Sequence, residues 1–462
     1  MPPYSHAVRN ARRLALASLA ALAFAVSVQT DAHAAGLHRR STLGIALSPA
    51  PADSAEFFGL PAGTGIVLKG TVPGGAADKA GLKAGDWLVT LDGQPLAFDG
   101  FTDRVAAMES GRAVRFGVIR AGQRLTVSAK PIERPRDPGT AQYSVVYDDV
   151  VSNGHRMRTL TTHPRKSGKH PALLFIQGYS PVSYDYVLEG PGLDAPILRA
   201  FAHADFVTLR VDKPGVGDSE GGPFSEVDFV TEADIYRQAL ITLRAMPDVD
   251  TSQVYIFGHS MGGAFGPVIA AEIPVRGIAL YGVVGRTWHE YFLDVMRYQN
   301  LLAGQTYGAI DETVRQTSRV MTYVFQDHLT PADVKRDHPE LAGAVDAVFP
   351  GGQFNGKTAR FWEQLEDTNF ASLWEQIGAH VLSVHGASDY VSYAVDHQLI
   401  ADVVNRAHPG YGRYVSLPNS DHVFATWPTE AESMQHFPNG ETNTAFATLV
   451  LEWIAGLPAS KG

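Results

Sequence analysis

Apolar and polar positions follow two rhythms along this chain of 462 residues, and the change falls near residue 135. From Arg40 to about Ile132, short β-prone runs (TLGIAL, GIVLKGTV, WLVTLDG, VRFGVIR, RLTVSAK) are separated by turn residues. That spacing predicts a small β-rich domain over 40–132. The Pro-rich stretch Arg134-Pro135-Arg136-Asp137-Pro138-Gly139 predicts a linker over 133–142. Beyond it, over 143–462, a strand–turn–strand pattern (YSVVYDD, SNG, RMRTLTTHP) gives way to apolar runs alternating with helical stretches: ALLFIQG, FVTLRVDK, QVYIFGHS, GIALYG and HVLSVHG. Such alternation predicts an α/β domain with a mostly parallel sheet covered by helices. Over 286–377 strand character disappears, and amphipathic stretches such as TWHEYFLDVMRYQNLL and ARFWEQL predict a helical insertion. No internal repeat interrupts this plan.

The first 34 residues differ from the rest. Arg9, Arg12 and Arg13 precede an apolar run from Leu14 to Val28, and Ala32-His33-Ala34 supplies small residues for cleavage, the layout of a signal peptide over 1–34. An uncleaved anchor is the alternative, but the run is shorter than the roughly 18 to 20 residues that span a bilayer. The Arg12-Arg13 pair raises twin-arginine export, although LALA after it matches poorly and favours the general secretory route. A periplasmic or secreted protein with no stable membrane anchor is the expectation. The chain has no cysteine, which excludes disulfides, lipoprotein attachment, thiolate zinc sites and a cysteine nucleophile. Loss of 1–34, with three Arg and one Asp, takes the formal charge from −10 to −12. So acidic a chain has no basic stripe for nucleic acid and is repelled by anionic lipid. With 45% hydrophobic and 19% charged residues it can still bury substantial cores.

Candidate chemistry begins with two G-x-S-x-G strings, Gly217-Asp218-Ser219-Glu220-Gly221 and Gly258-His259-Ser260-Met261-Gly262. A nucleophilic serine of this kind needs a sharp strand-to-helix turn that lifts its hydroxyl clear. Only Ser260 has that setting: QVYIF precedes it, and Gly262-Gly263-Ala264 opens a helical stretch. Ser219 runs into Gly222-Pro223 and reads as a structural loop that shapes the floor of the site. A serine hydroxyl needs a base and an orienting carboxylate, in the order serine, acid, histidine and in loops after late strands. Asp389 follows HVLSVHG, and His422 follows GRYVSLP. His397 is the rival base, but it falls in a helical stretch, and Asp421 adjoins His422 and would point away from its ring. Met261, after the nucleophile, and Tyr179, after ALLFIQG, fit the places of oxyanion donors.

Two resemblances follow from these motifs. RSTLGIAL, FFGLPAGTGIVL and VPGGAADKAGLKAGDWLVTLDGQPL recur in the order seen in PDZ domains of bacterial high-temperature-requirement proteases. That resemblance implies a carboxylate-binding loop at Leu43, Gly44 and Ile45, a flanking helix over Phe101 to Glu109, and a groove that takes protein C-termini by strand addition. A PDZ module that packs on its neighbour and binds nothing is the other reading. From Tyr143 to about Gly456 the chain resembles α/β-hydrolases of the esterase, lipase and serine-peptidase superfamily, with Gln177 where many members carry histidine before Gly178-Tyr179. The second donor is then either the Tyr179 amide or its hydroxyl. The resemblance implies an acyl-enzyme on Ser260 and no cofactor or metal. The substrate is a small acyl ester as first choice and a peptide or amide as second; an inactive hydrolase half behind a PDZ binding protein is the third reading. The insertion over 286–377 is expected to cap Ser260, with Trp288, Tyr291, Phe292, Phe361 and Trp362 lining an apolar cleft or forming the cap's own core. Arg286 either holds an acidic substrate group or pairs with an internal carboxylate.

Overall fold

The computed structural model describes residues 36–459 apart from 52–58, 60, 62 and 191, so the segment 1–34 read as a signal peptide lies outside the described residues. The first region contains strands β1 (Ser41–Thr42), β2 (Ile45–Pro49), β3 (Ile66–Thr71), β4 (Trp87–Leu91), β5 (Gln94–Pro95), β6 (Val114–Arg120), β7 (Gln123–Ala129) and β8 (Ile132–Glu133). An antiparallel path runs β2-β3-β4-β6-β7, with β5 folded back on β4. β1 pairs with β8 and so ties the start of the region to its end. Leu68, Leu88 and Phe116 fill the core beneath a helix over Phe101–Ala106. That helix is shorter than the span expected from sequence: it ends at Ala106, with Ala107 as its C-cap, and the chain turns again at Gly111, whose φ is +83°.

The second region is built on β9 (Tyr143–Ser152), β10 (His155–Pro164), β11 (His170–Ile176), β12 (Val207–Val211), β13 (Val249–His259) and β14 (Gly277–Tyr281). The insertion carries β15 (Gln353–Phe354) and β16 (Lys357–Thr358), and β17 (His380–Gly386) and β18 (Gly412–Leu417) complete the sheet. Its order is β18-β17-β14-β13-β11-β12-β10-β9. β10 is antiparallel to β9 and β12, and every other pairing is parallel. Successive side chains of a strand leave on opposite faces, and β11 shows the result. Ala172, Leu174 and Ile176 join Phe229, Tyr236 and Phe265 on one face, whereas Leu173 and Phe175 join Phe201 and Phe446 on the other. Helices Phe229–Ala245 and Gly262–Glu272 thus cover one side, and Ala195–His203 and Ala445–Ala455 the other.

Two features depart from the expected insertion and linker. β15 and β16 form an antiparallel hairpin inside the supposedly all-helical insertion. Its turn, Asn355-Gly356, has φ of +48° and +77°, the backbone that Asn-Gly favours in a tight hairpin; the signal was present in FNGK and was hidden by the helical pattern around it. The last helix of the insertion, Phe370–Gln376, packs on Gly262–Glu272 and Ala394–Ala407, so it belongs to the layer covering the sheet. The Pro-rich stretch is also no loose tether. Asp137 is buried, accepts the Leu188 N–H at 3.0 Å, and its own N–H donates to the Tyr147 hydroxyl at 2.7 Å.

Candidate active site

β13 ends at His259, and the next residue, Ser260, has φ of +53° before the helix begins at Gly262. A side-chain-bearing residue at such a φ is strained, and the surrounding glycines make the turn possible. A Cβ on Gly262 would lie 2.1 Å from the Ile176 carbonyl oxygen, and one on Gly263 2.3 Å from Val283 Cγ1. The Ser260 N–H is anchored on the Tyr281 carbonyl at 2.8 Å. Its Oγ lies 2.9 Å from His422 Nε2, and His422 Nδ1 lies 2.9 Å from Asp389 Oδ2. The structure therefore brings together the three residues singled out from sequence, drawn from the turns after β13, β17 and β18.

Asp389 is fully buried yet well supplied with donors: the N–H groups of Val391 (2.7 Å) and Ser392 (3.0 Å) and the Ser392 hydroxyl (2.6 Å). Burial pushes its pKa up, but the His422 charge and these hydrogen bonds win and hold the carboxyl well below the usual range. Burial likewise disfavours a charged His422, and Asp389 overcomes it, so the imidazole pKa is raised above 6.5. With Asp389 accepting from Nδ1–H, Nε2 is left as the acceptor facing the Ser260 hydroxyl. The arrangement can take a proton from Ser260 and return it to a leaving group.

Residues that sequence reading passed over hold this geometry. His259 Nε2–H donates to the His422 carbonyl at 2.8 Å, and burial, followed by the nearby His422, lowers the His259 pKa to about 3, so it stays neutral. The Tyr281 hydroxyl reaches the Asp421 carbonyl at 2.6 Å. Gly282, at φ +66°, leaves room for the histidine ring, since a Cβ there would come within 2.9 Å of His422 Nδ1. His259 occupies the variable position of the motif, so the spacing alone gave no reason to single it out.

The remaining candidates separate cleanly. Ser219 is buried and accepts from the Arg158 N–H at 2.9 Å while donating to the Asp212 carbonyl at 3.1 Å. His397 sits on helix Ala394–Ala407, accepts the Val283 N–H at 3.1 Å, and is held neutral by burial and by His385, with a pKa lowered to about 3. Asp421 accepts from the N–H groups of Val423 and Ala425 and from the Ser433 hydroxyl, whereas His422 Nδ1 meets Asp389. Arg286 pairs with Asp396 at 3.0 Å and Asp294 at 2.6 Å, which resolves its two readings in favour of an internal ion pair.

Met261 and Tyr179 line the same cleft as Ser260. Among the described residues neither backbone N–H donates to another protein group. The Tyr179 hydroxyl, by contrast, donates to the Asn355 carbonyl, so the amide is the donor that remains available. The cleft has a volume of about 1390 Å³. Trp288, Tyr291, Phe292 and Trp362 line it, whereas Phe361 is fully buried against Phe229 and Trp362 and does not. In the first region Leu43 is buried, and the Gly44 N–H already donates to Thr42 Oγ1 at 3.1 Å. One of the three expected carboxylate donors is thus satisfied locally, although β2, which begins at Ile45, lies at the sheet edge.

This strand order and the strand–turn–helix at Ser260 define a class of protein, and comparison with known proteins gives the same class. The alpha/beta hydrolase family matches residues 173–435 and the PDZ domain family residues 68–120. The chain belongs to the alpha/beta hydrolase family and carries a PDZ domain in front. It is similar to the periplasmic pH-dependent serine endoprotease DegQ of Escherichia coli, 38% identical over 90 residues, which are 19% of this chain and 20% of DegQ. It is also similar to esterase EstD of Thermotoga maritima, 19% identical over 252 residues, 54% of each chain. Acetyl xylan esterase 1 from Thermoanaerobacterium sp. JW/SL YS485 is 18% identical, with a TM-score of 0.39 over 68% of this chain and 84% of that one. The chain thus spans a fifth of DegQ and about half of EstD. Among the described residues no helix is long and apolar enough to cross a membrane.

Proposed function

We propose that this protein is an exported serine hydrolase that cleaves carboxylic ester bonds through Ser260, His422 and Asp389 and an acyl-enzyme. The observation that carries the reading is the unbroken chain of contacts from Ser260 Oγ through His422 to Asp389 at 2.9 Å each, opening into the apolar cleft. His422 takes the Ser260 proton as Oγ bonds to the ester carbonyl carbon, and the N–H groups of Met261 and Tyr179 hold the oxyanion. Collapse breaks the C–O bond, and the alcohol leaves with the proton from His422. Water, deprotonated by His422, then releases the acid and restores Ser260.

The PDZ domain favours a second reading, a peptidase or amidase to which protein C-termini are recruited. The cleft supports the ester. Among the described residues the cleft is lined by no Lys or Arg and by one carboxylate outside the proposed triad, Asp194; the rest of its lining, with Trp288, Phe292 and Trp362, is neutral and largely apolar, which suits an uncharged acyl group. Export rests on the N-terminal layout and on the periplasmic character of the PDZ relatives. A panel of p-nitrophenyl esters beside aminoacyl and peptidyl anilides, with fluorophosphonate labelling and peptide mapping, tests the proposal. Ester turnover with the label on Ser260 is expected. Label on Ser219, or turnover of anilides alone, would falsify the assignment.

A further inference from the structure

Away from the triad, a buried chain of three charged side chains calls for a role: Lys213, Glu232 and Lys357 are each no more than 1% exposed. An ammonium has three donors, and Lys213 uses all of them, on the Gly178 carbonyl (2.7 Å), the Tyr179 carbonyl (2.9 Å) and Glu232 Oε1 (2.9 Å). Lys357, on β16 of the cap hairpin, reaches Glu232 Oε2 at 3.3 Å and the Val227 carbonyl at 2.8 Å, beneath the Phe224 ring at 3.5 Å. Two ammonium groups share one carboxylate, an expensive arrangement for a buried site if packing were the only return.

The peptide geometry suggests what it does. The Gly178 carbonyl and the Tyr179 N–H belong to one planar trans unit and point in opposite directions. A cation gripping the oxygen therefore fixes the direction of the N–H and polarises it as a donor. That unit lies beside the nucleophile, since a Cβ on Gly178 would be 3.3 Å from Ser260 Cβ. The cap touches the same loop a second time, through the Tyr179 hydroxyl on the Asn355 carbonyl and the Tyr179 ring stacked on Trp362, centroids 5.7 Å apart.

Resting on the hydrolase reading above, we infer that Lys213 is a positioning residue that aims the Tyr179 N–H at the oxyanion, and that Glu232 and Lys357 tie this aim to the seating of the cap hairpin. The cap then governs the chemical step as well as access to the cleft.

Lys213→Met and Lys357→Met test this, with p-nitrophenyl butyrate as substrate and phenylboronic acid as a mimic of the tetrahedral adduct. Lys213→Met is expected to lower kcat about 10²-fold and to weaken boronate inhibition by a similar factor, with KM changed by less than about threefold. Lys357→Met leaves Lys213 in place and answers even if Lys213→Met does not fold; its kcat and boronate affinity fall together, about tenfold. Folded variants with parental kcat and boronate affinity, or with a raised KM alone, overturn the inference while leaving the hydrolase reading intact. An unaltered chain that turns over no ester and takes no label at Ser260 overturns both.

Discussion

At the residue scale the fate of one proton dominates. Ser260→Ala, Asp389→Asn and His422→Ala should each lower kcat about 10³-fold or more with the fold retained; circular dichroism beside turnover checks this, and near-parental turnover in His422→Ala would remove it as the base. Acid pH should act through the same imidazole. His422 must be neutral to accept the Ser260 proton, and Asp389 raises its pKa above 6.5, so kcat/KM should fall on acidification with a midpoint above that value. Asp389→Asn removes the raising charge, and the acid limb of its residual activity should move to lower pH. A limb that stays in place would mean that another group titrates. The two motif serines also show how far residue patterns reach. Both match G-x-S-x-G, and the lack of a helix after Ser219 was legible from Gly222-Pro223. The hydrogen bonds of His259 and Tyr281 to the His422 loop were not, because they join residues 163 and 140 positions apart.

At the scale of elements, the cap and the sheet divide the work. The strands were legible because each is a short apolar run bounded by turn residues, and burial on both faces of a covered sheet demands such runs. The hairpin β15–β16 was not picked out, since two-residue strands carry no periodicity. Of the five insertion aromatics singled out from sequence, four line the cleft and Phe361 is core, a division that depends on which side of each helix meets the sheet. Trp288→Ala, Phe292→Ala and Trp362→Ala should therefore alter acyl-chain-length preference across a p-nitrophenyl ester series while turnover of the acetyl ester survives. Parental preference in all three folded variants would show that the cap does not set specificity.

On the scale of the whole molecule, one arginine links the start of the PDZ region to the hydrolase. Arg39 is buried, pairs with Asp218 at 2.8 Å and with Asp185, donates to the Pro135 carbonyl at 2.7 Å and lies over the Tyr147 ring. Removing one partner of a buried pair leaves uncompensated charge and costs about 3–5 kcal/mol. Arg39→Met should accordingly lower the thermal midpoint of the full chain by several degrees, and an unchanged midpoint by calorimetry would show the contact to be energetically idle. From the sequence, residues 133–142 looked like a tether because Pro and Gly break regular structure; the buried contacts of Asp137 need partners that only the folded chain supplies.

The sequence by itself determined the order of the two regions, the strand succession of the sheet and the residues at the turns where chemistry collects, because those depend on local periodicity and on turn residues within a few positions. The tertiary structure alone decided which polar groups meet. It placed Arg286 on Asp396 and Asp294, turned the Tyr179 hydroxyl to the cap and freed its amide, and gathered Lys213 and Lys357 around the Glu232 carboxylate. Such pairings are settled by three-dimensional proximity and by the cost of leaving a buried charge or donor unmatched, and neither leaves a period in the chain.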